Sequence, residues 1–182
     1  MSTQSTPCSD RRPQFFLGID PGVSGAWCVI GAQPDEYNAE MAILGDLPIR
    51  HESGGVAKPY KTIDIKLLRR ALEECCVNIA AACIERPLIF RKEAGMLIIG
   101  ENFGLLKGFV EDFDGARLYF PRPNVWKKKM GIPGDKDKLM ETTRRDFPEI
   151  REMLKRKKDH DRADAFHLAR YARTAFFTRQ PD

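Results

Sequence analysis

Four carboxylates stand where separate stretches of the sequence change character. Asp20 ends the apolar run Phe15–Ile19, Glu85 ends the apolar run Ala80–Ile84, and Asp161 and Asp164 lie three residues apart. Three-residue spacing puts a pair on one face if its segment is helical. If the first and fourth strands are parallel neighbours, Asp20 and Glu85 project from the same sheet edge, one strand spacing (~4.8 Å) apart. A helix packed across them adds Asp164, with Asp161 or His160. Acids held this close repel one another and take up protons unless divalent cations neutralise them. Hard oxygen ligands suit Mg²⁺, with Mn²⁺ able to substitute. Two such ions roughly 3.5–4 Å apart would activate a water and steady the leaving oxygen of a phosphodiester. The expected chemistry is therefore metal-dependent phosphodiester hydrolysis. Taken singly, each acid is explained as well by a turn cap or a solvent-facing strand end, so the expectation rests on their convergence.

Basic residues gather in the same half of the chain. Lys127, Lys128, Lys136, Lys138, Arg156, Lys157 and Lys158 all fall between positions 122 and 158, along with Lys129, Arg144, Arg145, Arg151 and Lys155. Such clustering suits a surface that meets phosphates, and the competing reading is a solvated face. Trp126 has two readings as well: a platform for a base or ribose, or an anchor in the core.

The elements that would position these residues follow from periodicity. Phe15–Ile19, the turn Asp20-Pro21-Gly22 with Ser24-Gly25, and Ala26–Ile30 predict a hairpin. A third strand is expected at Met41–Leu47, then a loop from His51 to Tyr60. Ile65, Leu68, Leu72 and Ile79 recur at helical spacing, which predicts a helix over Asp64–Asn78, with Asp64 capping it or in its first turn. Ala80–Ile84, apolar at every position, reads as a buried parallel strand. Met96, Ile99, Phe103, Leu106 and Val110 predict another helix despite four glycines, and part of this stripe could form a dimer contact. Arg117–Phe120 reads as a fifth strand, and Lys136–Asp146 and Asp159–Phe177 as closing helices. The sum is an α/β arrangement: a five-stranded mixed sheet, an antiparallel three-strand meander plus parallel strands, flanked by helices.

With 182 residues, one domain over 15–178 is expected, between a disordered polar tail at 1–14 and a short tail at 179–182. The net charge of +4 mixes 30 basic with 26 acidic side chains, so the average says little about partners. Five cysteines, an odd number with no C-x-x-C pair, read as reduced thiols and make structural zinc a poor expectation. No apolar run reaches the ~18–20 residues of a membrane span. Residues 1–14 lack the apolar stretch of a secretory signal.

The motifs resemble a known family. Phe16-Leu17-Gly18-Ile19-Asp20-Pro21-Gly22, Ile84-Glu85 and Asp161-Arg162-Ala163-Asp164-Ala165 are similar to the three signature blocks of RuvC-type Holliday-junction resolvases. Pro123-Asn124-Val125-Trp126-Lys127, Gly134-Asp135-Lys136-Asp137-Lys138 and Arg156-Lys157-Lys158-Asp159-His160 resemble most closely the plant chloroplast resolvases and their bacterial and phage relatives. The resemblance spans roughly Phe15 to Tyr171. It implies an RNase H-like fold and a homodimer that places two symmetric nicks across a four-way DNA junction, with no small-molecule cofactor and no membrane. It implies Asp20, Glu85 and Asp164 as metal ligands, two ions per site, and Lys127, Lys136 and Lys138 near the scissile strand. Asp161 is the preferred fourth ligand, and His160 the second candidate. The aromatic wedge that many such proteins carry soon after the glutamate is replaced by Arg86-Pro87-Leu88, leaving Phe90 as a substitute. The expected location is cytoplasmic and nucleoid-associated for a bacterial or phage protein, organellar for a plant one.

Three rivals stand against this. A junction-binding protein that does not cut would need no acid cluster. An actin-like sugar or acetate kinase would need a second phosphate turn and about twice the length. Another RNase H-like nuclease would differ in substrate alone.

Overall fold

Strand alternation decides which residues face which layer of this molecule. The computed structural model describes residues 14–32, 41–52, 60–75, 78–88 and 95–178. Seven strands occur among them: β1 (Gln14–Asp20), β2 (Ala26–Ala32), β3 (Ala42–Asp46), β4 (Ile49–Glu52), β5 (Tyr60–Ile63), β6 (Ile79–Ile84) and β7 (Arg117–Tyr119). Five helices accompany them: α1 (Ile65–Cys75), α2 (Met96–Glu111), α3 (Pro123–Met130), α4 (Lys136–Asp146) and α5 (His160–Thr178). Two 3₁₀ segments, Pro148–Leu154 and Lys157–Asp159, lead into α5.

The main sheet has five strands in the order β3-β2-β1-β6-β7. β1 pairs antiparallel with β2, and β2 with β3, whereas β1–β6 and β6–β7 are parallel. This is the five-stranded mixed sheet that the sequence predicts. Phe16, Cys28, Ile30, Ala81 and Cys83 look to one face, where Trp126, Leu139, Ile150, Phe166, Leu168 and Ala172 cover them. Leu17, Ile19, Val29, Ala82 and Ile84 look to the other, against Ile63, Leu68, Leu72, Leu106 and Phe109. The period of two is what separates the sets.

Two elements depart from expectation. The stretch read as a loop from His51 to Tyr60 belongs at both ends to strands, since β4 and β5 pair antiparallel from Ile49↔Ile63 to Glu52↔Tyr60. Residues 53–59 lie outside the described residues, as do 1–13, 179–182 and Phe90, while Gln14, expected in the tail, opens β1. The second departure is α3, which follows two prolines. Pro123 at the start of a helix costs nothing, because the first N–H groups have no intrahelical partner, and Gly131 ends the helix at φ 65°. The remaining helices fall within a few residues of expectation. Asp64 caps α1, its Oδ1 accepting from the Leu67 N–H at 3.1 Å.

One glycine sets how near α5 comes to the sheet. A Cβ at Gly18 would stand 2.2 Å from the Ala165 carbonyl oxygen and from the Ala169 nitrogen. Only a residue without a side chain lets the helix backbone rest on β1 there. No helix among the described residues is long and apolar enough to cross a membrane.

Candidate active site

The alternation that builds the core also aims the acids. Phe16 and Gly18 face α5, so Asp20, two further on, belongs to the same face; Ala81 and Cys83 put Glu85 there by the same count. The parallel register pairs Ile19 with Ile84, and the Glu85 N–H continues the ladder to the Ile19 carbonyl at 3.1 Å. Asp20 and Glu85 are therefore side by side at the carboxyl ends of adjacent parallel strands. The first turn of α5 crosses this edge and brings Asp161 and Asp164, both buried.

Asp20 is where the charges meet. Desolvation pushes its carboxyl well above the usual aspartate range, and the charges of Asp161, Asp164 and Glu85 push it further. Glu85 is raised by burial, against the pull of a hydrogen bond from Trp126. Asp164 is raised chiefly by burial, with the Lys127 ammonium opposing. A set of acids that lift one another's pKa lacks positive charge.

Part of that charge comes from α3. Trp126 has no exposed surface, and its indole N–H donates to Glu85 Oε2 at 2.6 Å. Next to it, Lys127 sets its ammonium 3.0 Å from Asp164 Oδ1. That oxygen is buried and accepts no hydrogen bond of good geometry, so the contact is an ion pair that leaves lone pairs unused. Lys136 stands 4.0 Å from Asp161 Oδ1. His160 Nε2 lies 2.9 Å from the same Asp161 oxygen and is less buried than the aspartate. Of the two candidates for the fourth position, Asp161 is the one whose charge is felt at Asp20, and His160 is its neighbour.

Among the described residues no three His, Cys, Asp or Glu side chains are grouped so as to hold a metal ion as they stand. Glu85 is bound by Trp126 and Asp164 by Lys127. The chemistry of these acids is nevertheless all-oxygen and anionic, with one buried Asp164 oxygen met only by the Lys127 ammonium, and this fits Mg²⁺ or Mn²⁺ in kind.

The basic residues sort into three groups. Lys127 and Lys136 flank the acids. Lys128, Lys138, Lys157 and Lys158 are exposed. Arg156, also exposed, holds two carboxylates: its guanidinium bonds Asp159 Oδ1 at 2.8 Å and Asp46 Oδ2 at 3.2 Å. Arg162 joins the same latch at Asp46 Oδ1, 2.6 Å away. Arg156 holds these carboxylates while its side chain stays exposed, and Trp126 takes the place of a core anchor. A tryptophan sealed in the core offers no face to a nucleotide. Its bond to Glu85 spans 41 positions, and no local pattern announces it.

No protein-family model matches the sequence, and no curated protein matches it. Solved structures do resemble the fold. Thermus thermophilus RuvC in complex with Holliday junction substrate superposes with TM-score 0.50 at 16% identity, covering 91% of this chain and 95% of that one. A second Thermus thermophilus RuvC structure gives 0.50 at 17% identity over the same shares. Fowlpox virus resolvase with Holliday junction DNA gives 0.45 at 13% identity, covering 93% and 100%. At such identities the likeness is one of architecture: this chain has the RNase H-like fold of RuvC.

Proposed function

We propose that this chain is a metal-dependent endonuclease that resolves four-way DNA junctions, acting as a homodimer with one acidic site per subunit. The observation that carries the reading is the meeting of Asp20, Glu85, Asp161 and Asp164 at the carboxyl edge of β1 and β6, with Lys127 and Lys136 beside them. The fold supports it, because a structure of this architecture is seen with a Holliday junction substrate.

Asp20, Glu85 and Asp164, with Asp161 as fourth, would hold Mg²⁺, which supplies a low-pKa water and neutralises charge on the phosphate. Lys127 and Lys136 attract the scissile phosphate and offset the charge that grows on its oxygens. Trp126 keeps Glu85 in one orientation. Exposed Lys128, Lys138, Lys157 and Lys158 extend the positive surface along the DNA backbone.

The test is cleavage of a synthetic four-way junction, a linear duplex and an RNA:DNA hybrid, each with Mg²⁺ and with chelator. Nicks confined to the junction and lost with chelator are expected. Preference for the hybrid or the linear duplex, or cutting that survives chelation, overturns the reading.

A further inference from the structure

The first turn of α5 carries an arginine between its two acids. Arg162 Nε donates to Asp46 Oδ1 at 2.6 Å, and Arg162 Nη1 donates to the Met153 carbonyl at 3.1 Å. Arg156, just ahead of the second 3₁₀ segment, reaches the same Asp46 carboxylate while its Nε holds Asp159. One aspartate at the end of β3 thus receives an arginine from α5 and another from the segment that leads into it. Burial would raise the Asp46 pKa, but the hydrogen bonds from Arg162 and Arg156 outweigh it and hold the carboxyl below the usual aspartate value. The proposed hydrolysis gives this latch no role.

Sheet register gives it leverage over the acids. Asp20 pairs with Ala26, and Ala26 with Asp46, so the three stand in one row across β1, β2 and β3. Paired residues point to one face of a sheet, here the face that α5 covers. Two strand spacings, roughly 10 Å, separate Asp20 from Asp46. The first turn of α5 meets both ends of that row, with Asp161 and Asp164 acting on Asp20 and Arg162 bonded to Asp46. Between them the helix rests on Gly18, which has no side chain to stop it rotating about its axis.

We infer that Asp46 is a positioning residue: by anchoring Arg162 it fixes the rotation of the first turn of α5, and with it the approach of Asp161 and Asp164 to Asp20. The inference rests on the proposed nuclease site. Stability and function should separate here. The Asp46 side chain is 48% exposed, and exposed ion pairs add little to stability, whereas a small misplacement of a reacting group is costly.

The experiment compares wild type with Asp46→Ala, Asp46→Asn, Arg162→Met and Asp46→Ala combined with Arg162→Met. Glu152→Ala, which removes an acid from an exposed pair with Lys155, controls for charge and should match wild type. Calorimetry reads Mn²⁺ affinity without DNA, single turnovers at saturating enzyme read cutting of a four-way junction, and gel shifts read junction binding. Asp46→Ala and Arg162→Met should each weaken Mn²⁺ binding and slow cutting about tenfold, the lower end of the cost of losing a group that orients metal ligands. Junction binding by Asp46→Ala should not weaken, and its Tm in chelator should stay within about 4 °C of wild type. The combined variant should lose no more than either single one, because the two residues act as a unit. Asp46→Asn keeps the shape and one acceptor and should fall between Asp46→Ala and wild type; it also decides the matter if Asp46→Ala does not fold. Wild-type Mn²⁺ affinity and rate in a folded Asp46 variant, additive losses in the combined one, or an Asp46→Asn that does not fold overturns the positioning role. So does faster cutting with tighter junction binding, the mark of an acid that merely competes with phosphate for the two arginines. A wild type that binds no Mn²⁺ and cuts no junction sinks the nuclease reading itself.

Discussion

The indole nitrogen of Trp126 lies 2.6 Å from Glu85 Oε2, although the two residues belong to different elements and the tryptophan is sealed from solvent. Trp126→Phe keeps the ring and removes the donor. Junction cleavage should fall by about 10–100-fold, the usual cost of losing a partner that orients a metal ligand. The apparent Mn²⁺ affinity, measured by calorimetry on the DNA-free protein, should weaken too. Unchanged Mn²⁺ binding together with unchanged cutting would remove Trp126 from the site.

Asp20→Asn and Glu85→Gln should each reduce cutting to background while gel shifts still show junction binding. Asp20→Asn has a second consequence. The folded-state pKa of Asp20 is raised, so its contribution to stability is present below the unfolded pKa and is lost as pH rises through the folded one. Without metal, above the unfolded pKa, burying Asp20 among the other acids therefore costs stability in either protonation state, and asparagine relieves it. About 1 kcal/mol of relief raises Tm by roughly 2–4 °C in a chain of this size. A lower Tm for the variant in chelator would contradict the repulsion argued for the cluster.

Lys127→Ala removes the ammonium that faces Asp164. The single-turnover rate at saturating enzyme should drop about 10²-fold, as when one donor to a developing oxyanion is lost. The dissociation constant for the junction should move much less, because the exposed lysines remain. Equal rates for wild type and variant would deny Lys127 a part in the chemical step.

His167 makes the fold sensitive to acid. Its pKa is lowered to about 3, first by burial and then by Arg170 and Lys127. The neighbours agree with a neutral ring. Thr143 Oγ1 already gives its proton to the Leu139 carbonyl at 2.7 Å, so at 2.8 Å it accepts from His167 Nε2–H. Nδ1 is then left as an acceptor, with Arg170 Nη1 3.4 Å away. An unfolded chain binds this proton near pH 6.5 and the folded one does not, so stability is full above 6.5 and declines toward pH 3. The loss is at most roughly 4–5 kcal/mol. Urea unfolding of His167→Gln should show a shallower decline between pH 6.5 and 4 than wild type, and parallel declines would count against the assignment.

Much of this was legible in the sequence because burial writes a strong pattern. β6 is apolar at each position and reads as a strand covered on both faces; α1 repeats its leucines at helical spacing. The acids could be matched to strand ends for the same reason. Three features escaped. β4 and β5 are four-residue strands around a Gly- and Pro-containing stretch, too short for alternation to stand out. α3 begins on proline and carries three consecutive lysines, so its amphipathic signal is weak. The pairings Trp126–Glu85 and Arg156–Asp46 depend on where the polymer returns to itself, and a one-dimensional pattern holds no record of that. Lys127 differs: the resemblance of its motif implied a place near the scissile strand, and it stands 3.0 Å from Asp164 Oδ1.

The rest of α5 on Gly18 also bears on timing. Asp20 emerges early in synthesis, but its partner Asp164 and the helix that seats on β1 are made near the other end of the chain. A ribosome adding about 5–20 residues per second thus needs several seconds or more to pass from Asp20 to Asp164, and until then the acids of the cluster cannot be neighbours.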